Sequence, residues 1–337
     1  MLIGNAYSTR YKRKEGSALT TLFVAGGSGF IGAAFVRHAL SAGHQVWALC
    51  RSERSAVAMQ ALGAQPVMGD LLTQGAWQQH VANAEIVLHF AQPQTFGGRV
   101  GKDRALRYEA DRLKMDQHLF GALRGSPVKH LIYVSGTSYY GQQDLPLKDE
   151  TATPNPRGWG PYIQKAMAAV EQFRTAGIPI QIVFPSSVYG AGSWYAEILA
   201  SLQAGKTQLM LAHRDPTMAT VHVEDCARAI LHLMQHGEPA GRYIICDDRP
   251  PKYSEIVQKS AEALGVPLKT RPVPLWLARI LAGPVVTDAY DAHLSNARLR
   301  STGFRFNFPT IEQGIPDAVN TWLAQSAPRG AETHAAD

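Results

Sequence analysis

The sequence predicts an α/β fold, a doubly wound parallel sheet with a smaller C-terminal lobe, and three observations carry that prediction. Short apolar runs alternate with helix-length segments through the first 190 residues. The first run ends in a glycine-rich turn that opens a helix. The stretches "VAGGSG", "HFAQP", "YVSGTS" and "VFPSSVYG", which close four of the apolar runs, are also the ones richest in Gly, Ser and Pro. In sheets of this kind ligands sit beyond the carboxyl ends of the strands.

Taken in order, "LFVA" (22–25) is strand-sized, and Phe30, Ile31, Ala34, Phe35 and Leu40 then recur at helical spacing as far as Gly43. "QVWALC" (45–50), "QPVMGDL" (65–71), "EIVLHFA" (85–91), "KHLIYVS" (129–135) and "IPIQIVF" (178–184) are further strands. Helical segments lie between them, including one over 55–62 and a long one from about Tyr108 to Leu123. Near-continuous apolar strands joined by helix-sized crossovers imply a parallel sheet covered on both faces.

Past Val188 the alternation weakens. A helix over 193–205, a strand running into a helix over 220–235 and a strand at 241–247 are followed by Pro-rich joints at 250–251, 267, 272, 274 and 284. The reading is therefore a flexible basic tail at 1–18, a nucleotide-binding core at 19–190, a substrate lobe over most of 191–325 with segments returning to the core, and a second flexible tail at 326–337.

Composition narrows the function classes. Hydrophobic content of 45% and charged content of 18% over 337 residues suit a soluble globular chain. No apolar run approaches the roughly 18 residues that read as a membrane span. Half of the formal charge of +6 falls in residues 1–18, and no basic patch interleaved with aromatics follows, which argues against nucleic acid. Cys50, Cys226 and Cys246 are odd in number and lack CxxC spacing, so a reducing cytoplasm without a disulfide framework is expected. No metal-ligand spacing is present, and "HVED" at 222–225 reads as a capped, paired surface cluster at a helix start.

The turn "GGSGFIG" sets Gly26, Gly29 and Gly32 at GxxGxxG spacing between a strand and a helix. The helix start offers unpaired N–H groups and a positive dipole end, while the glycines let a pyrophosphate and the helix come close to the backbone. This is the signature of a Rossmann-type dinucleotide site.

"VAGGSGFIG", "GDL" at 69–71, "HFA" at 89–91, "SSVYGAG" at 186–192 and "VHVEDCARAI" at 221–230 stand in the order found in the extended short-chain dehydrogenase/reductases. The chain resembles that epimerase-like, NAD(P)-dependent family over roughly 19–325, and "RLRSTGFRFNFPTIEQGI" (298–315) resembles its closing segment. The resemblance implies diphosphate contact by Ser28, Gly29, Phe30 and Ile31, and adenine contact by Asp70 and Leu71. It places Ala91 near the middle of the cofactor and Pro185 and Val188 around the nicotinamide. It also implies a homodimer paired through helices that flank the active site.

The end of the second strand bears on the choice of cofactor. Cys50 stands where an acid would bind the ribose hydroxyls of NAD, with Arg51 next and Arg54 nearby. An arginine forks onto a 2′-phosphate, so NADP is expected, with NAD as the alternative.

For catalysis the resemblance implies a Ser or Thr after the fifth strand, a tyrosine, and a lysine four residues beyond it. In "VSGTSYYG" the usual hydroxyl position falls on Gly136, flanked by Ser135 and Thr137, of which Thr137 is the better placed to turn inward. Tyr162 and Lys165 in "GWGPYIQKAMAAVEQF" are three apart, still on one helix face. If Lys165 keeps the family position the tyrosine slot holds Pro161, and if Tyr162 keeps it the lysine slot holds Ala166. The working assignment is Tyr162 as proton donor and Lys165 as ribose anchor; the alternative is a packed tyrosine and a surface lysine.

Nucleotide-sugar members of the family carry a phosphate-clamping arginine four residues before the histidine of "HV", and here that place is Met218. Gln92, Trp159, Trp194, Tyr195 and also Trp276 are candidates for the substrate side. Aromatic walls suit a small, partly apolar carbonyl or alcohol. The expected function is an NADP-dependent oxidoreductase. A nucleotide-sugar epimerase or dehydratase and a non-catalytic NADP(H)-binding sensor or scaffold are the alternatives.

Overall fold

The computed structural model describes residues 20–93, 99–126, 128, 130–142, 147–285 and 287–326, so both predicted tails lie almost wholly outside the described residues. Its strands are β1 (Thr21–Ala25), β2 (Gln45–Cys50), β3 (Gln65–Met68), β4 (Ile86–His89), β5 (His130–Val134), β6 (Ile180–Pro185), β7 (Ser187–Tyr189), β8 (Gln208–Leu211), β9 (Thr220–His222), β10 (Arg242–Ile245) and β11 (Thr270–Val273). Its α-helices are α1 (Phe30–Ser41), α2 (Glu53–Leu62), α3 (Trp77–Asn83), α4 (Lys102–Leu123), α5 (Gln164–Thr175), α6 (Ser193–Gln203), α7 (Val223–His236), α8 (Tyr253–Leu264), α9 (Leu275–Ala282), α10 (Ala297–Ser301) and α11 (Ile311–Ser326).

Seven strands form one sheet in the order β10-β6-β5-β4-β1-β2-β3, and every pairing in it is parallel. The order reverses between β1 and β4, which opens the crevice that a doubly wound sheet offers to a ligand. Side chains alternate across the sheet with period two. Leu22 and Val24 of β1 join Ile132 and Val134 of β5 in one buried cluster with α1, α2 and α7. Phe23, Ala25, Leu131 and Tyr133 join α3, α4 and α5 in the other. Burial on both faces is why these strands read as continuous apolar runs.

The second half of the chain is shared between core and lobe. β10 pairs with β6 at the sheet edge, and α7 packs against α1. A separate apolar cluster, including Tyr195 and Leu199 of α6 and Ile315, Val319 and Trp322 of α11, builds the lobe. A short parallel pair, β8 with β11, lies in the same lobe.

Three local readings differ from the sequence expectation. The long helix begins at Lys102, not near Tyr108. The strand of "QPVMGDL" stops at Met68, and the next residue, Gly69, lies against Trp77, where a Cβ would come within 2.5 Å of the indole. The "HVED" segment is not on the surface: His222 is 1% and Asp225 0% exposed. His222 caps α7 through the Glu224 N–H, and the Asp225 carboxylate accepts the N–H groups of Asn307 and Phe308. No helix among the described residues is long and apolar enough to cross a membrane.

Candidate active site

The turn between β1 and α1 is pressed against the end of β4. Gly26 has φ +86°, and a Cβ there would lie 2.5 Å from the Ala91 nitrogen. A Cβ on Gly32 would lie 2.1 Å from the Gly26 carbonyl oxygen, so α1 can seat on the turn only with glycine at both places. The helix starts at Gly29 without a side-chain cap, which leaves its first N–H groups directed at the crevice.

Above this turn lies a cavity of about 650 Å³, within the range of cofactor sites. Gly26, Ser28, Gly29, Phe30, Ile31 and Gly32 line one end, Arg51, Asp70 and Leu71 one side, and Ala91, Pro185 and Val188 the other. The structure thus brings together every predicted cofactor residue except Arg54 and Lys165. Arg54 is exposed in the first turn of α2, away from the lining. Asp70 is oriented by the Leu72 N–H at 2.9 Å. Cys50, in the expected acid position, is buried and donates to the Ala48 carbonyl, and the charged group of this strand end that lines the cavity among the described residues is Arg51.

A second chamber of about 180 Å³ adjoins the first and shares Gln92, Ser135 and Gly136 with it. Tyr108, Arg112, Tyr133, Ser138, Trp159 and Ile163 complete its walls. Arg112 is 2% exposed, and its guanidinium donates to the Tyr133 hydroxyl at 3.0 Å, the Ala91 carbonyl at 2.8 Å and the Val134 carbonyl at 3.1 Å. It ties together the ends of β4 and β5. Its counter-charge is Asp116, whose carboxylate also accepts the Tyr133 hydroxyl at 2.8 Å and pairs with His89 at 2.9 Å. Burial lowers the His89 pKa, against the Asp116 hydrogen bond that raises it, which favours the neutral imidazole.

The predicted catalytic residues are not gathered in the same way. Ser135 and Gly136 line both chambers. Thr137 is buried in a 3₁₀ turn and lines neither. Tyr162 packs on Val100, Ala105 and Val285, outside both linings. The Lys165 side chain is 68% exposed and pairs with Glu109 at 2.8 Å. Local winding explains this. The helix does not start at Pro161; Gly160–Tyr162 form a 3₁₀ turn, and α5 begins at Gln164. A 3₁₀ turn advances about 120° per residue where an α-helix advances about 100°. The face turned inward therefore carries Ile163, which lines the second chamber, and Met167, whose thioether accepts the Ser135 hydroxyl at 3.2 Å. These two are four apart, the spacing of the expected pair, in a frame one residue past Tyr162.

Of the substrate candidates, Gln92 lies at the junction and Trp159 in the second chamber, its ring centre 4.9 Å from that of Tyr108. Trp194 lines the first cavity and donates to the Val188 carbonyl. Tyr195 does not reach a cavity: it is 0% exposed and bonded to Ser260, because it fills the core of the lobe. Trp276 is 64% exposed on α9 and lines neither chamber. Sequence reading missed Tyr108, Arg112 and Tyr133. The available signal was an arginine on the apolar stripe of α4, at core spacing from Tyr108, Met115 and Leu119. Among the described residues no cluster of His, Cys, Asp and Glu suits a metal ion.

Comparison with known proteins agrees with this architecture. A 4-hydroxy-2-methyl-3-oxo-4-farnesyl-3,4-dihydroquinoline-1-oxide ketoreductase of Stigmatella aurantiaca is 24% identical over 268 residues, 77% of this chain and 78% of its own. A putative dihydroflavonol 4-reductase of Synechocystis is 28% identical over 271 residues, 76% of each chain. The solved structure of a human epimerase family protein with NADPH superposes with a TM-score of 0.72 at 18% identity, covering 90% of this chain and 99% of that one. The model of the NAD dependent epimerase/dehydratase family matches residues 22–246, and the chain belongs to that family.

Proposed function

We propose that this protein is an NADP-dependent reductase that transfers hydride to a small, partly apolar carbonyl substrate. One observation carries the reading: a cavity floored by the glycine turn opens, at Ser135 and Gly136, into a smaller chamber walled by Tyr108, Tyr133, Trp159 and Ile163. The N–H groups at Ser28–Ile31 would hold the pyrophosphate, Asp70 and Leu71 the adenine end, and Arg51 a 2′-phosphate. When bound, the nicotinamide supplies the hydride. The chamber would orient a flat substrate between aromatic rings and direct its carbonyl toward the junction.

The relatives that are ketoreductases or dihydroflavonol reductases support a carbonyl substrate. A nucleotide-sugar substrate is less well supported, since Met218 packs against the apolar cluster of the lobe and brings no cation for a phosphate. A second reading, a non-catalytic NADP(H) binder, draws on Ile163 and Met167 holding the inward face of α5. The experiment that separates the two is NADPH oxidation with 4-chromanone, the bicyclic aryl ketone core of dihydroflavonols. Turnover supports the reductase; tight NADPH binding with no turnover across aryl and alkyl ketones supports the binder.

We further propose cytoplasmic residence, on three buried free thiols with no disulfide among the described residues. A homodimer paired through helices that flank the active site is proposed from the family resemblance, with sedimentation velocity as its test.

A further inference from the structure

The inward face at the start of α5 offers Ile163, its N-cap, and Met167, neither of which can give a proton or hold a charge. The neighbouring wall offers both functions. Tyr108 and Arg112 stand four apart on α4, hence on one face of that helix, and both line the second chamber. Resting on the reductase reading above, we propose that Tyr108 donates the proton to the substrate oxygen and that Arg112 is the fixed cation beside it.

Of the four hydroxyls that line the chamber, those of Tyr133 and Ser135 are committed elsewhere, and of the remaining two, Tyr108 and Ser138, Tyr108 is the one that shares a helix face with Arg112. Among the described residues its hydroxyl has no hydrogen-bond partner, and it is not one of the sealed, unpartnered atoms of the interior, so it is open to an entering ligand. Its ring is held, 5% exposed, against Trp159. The Tyr133 hydroxyl is committed twice over, donating to Asp116 and accepting from Arg112. Ser135 is turned to the Met167 sulfur.

Electrostatics agree with the direction of reaction. Burial raises the Tyr108 pKa, Arg112 pulls it part of the way back, and Asp116 adds a smaller upward push. The phenol is therefore protonated at neutral pH, as a donor must be. In the step itself the carbonyl carbon accepts hydride with its electron pair and is reduced as the nicotinamide is oxidised. The C=O π pair moves to oxygen, which takes the Tyr108 proton, and the phenolate regains a proton from solvent. Arg112 favours the phenolate during that interval.

The test uses the full chain with NADPH and 4-chromanone. Tyr108→Phe should lower kcat by about 100-fold or more while leaving NADPH affinity unchanged. An independent readout is the infrared carbonyl stretch of carbonyl-labelled 4-chromanone bound to the NADP⁺-loaded protein. A hydrogen bond from Tyr108 lowers that frequency, so Tyr108→Phe should raise it and Tyr162→Phe should not. The assignment is overturned if rate and stretch ignore Tyr108→Phe, if Tyr162→Phe reproduces the loss, or if 4-chromanone fails to bind the loaded protein. Failure of NADPH itself to bind would remove the reductase reading first, and so is distinguishable from failure of the Tyr108 assignment alone.

Discussion

The Ser135 hydroxyl meets the Met167 thioether at 3.2 Å, two residues past the lysine of the expected pair. Met167 is 1% exposed and packs with Val170 and Phe184 in the core beneath α5. On this account it is packing, not chemistry. Met167→Leu, nearly conserving volume, should cost under about 1.5 kcal/mol in urea denaturation and leave NADPH affinity unchanged by calorimetry. A large loss of nucleotide affinity would give the thioether a role it lacks here.

Arg112 holds the ends of β4 and β5 through carbonyls of Ala91 and Val134 and faces the buried Asp116. Arg112→Met leaves that carboxylate without its cation and should destabilise by about 3–5 kcal/mol. Arg112→Lys keeps the charge but cannot span two carbonyls and a phenol, so it should fall between. Chemical denaturation of the two variants checks the order.

Arg51 is the charged side chain of the β2 end that reaches the large cavity. Loss of a charge-assisted bond to phosphate is worth about 1.5–3 kcal/mol, so Arg51→Ala should weaken NADPH about 10- to 100-fold and leave NADH nearly unchanged. Equal weakening of both nucleotides would show that Arg51 does not read the 2′-phosphate.

Gly32 has no room for a methyl group, since a Cβ meets the Gly26 carbonyl at 2.1 Å. Gly32→Ala must push α1 off the turn that would seat the pyrophosphate. The expected result is loss of nucleotide binding with retained helical circular dichroism; wild-type affinity would contradict the close-approach argument.

Burial pushes the Asp247 carboxyl up to about 8, against a bond from Thr220 that lowers it, with Asp225 and Asp248 adding to the rise. The folded chain then holds a proton that the unfolded chain releases near ~3.9. Native stability from this group is full below that value and is lost as pH rises toward 8. Asp247→Asn should flatten the decline in Tm between pH 5 and 8 and be the more stable form at the alkaline end. A variant whose Tm tracks the wild type across that range contradicts the buried, protonated carboxyl.

The sheet and the cofactor cradle were legible in the sequence because each rests on local pattern. Apolar runs of strand length and a glycine turn between strand and helix leave little freedom, and "GGSGFIG" fell where a Cβ has no space. The catalytic frame was not legible. Whether Tyr162 or Ile163 faces inward depends on a single 3₁₀ turn at Gly160–Tyr162, and no spacing rule distinguishes it from the first turn of an α-helix. Tyr108 and Arg112 were hidden for a different reason. A charged residue on a helix reads as solvated unless its partners are known, and Ala91, Tyr133 and Val134 come from two separate strand ends. Tyr195 shows the converse error, an aromatic assigned to a pocket that proves to be core.

The turn at Gly26–Gly32 is shaped to seat a nicotinamide dinucleotide. Isothermal titration of the purified chain with NADPH and with NADH addresses it directly. The expected result is one nucleotide per chain, with NADPH bound more tightly than NADH; an absence of heat and of fluorescence enhancement with either nucleotide would contradict it.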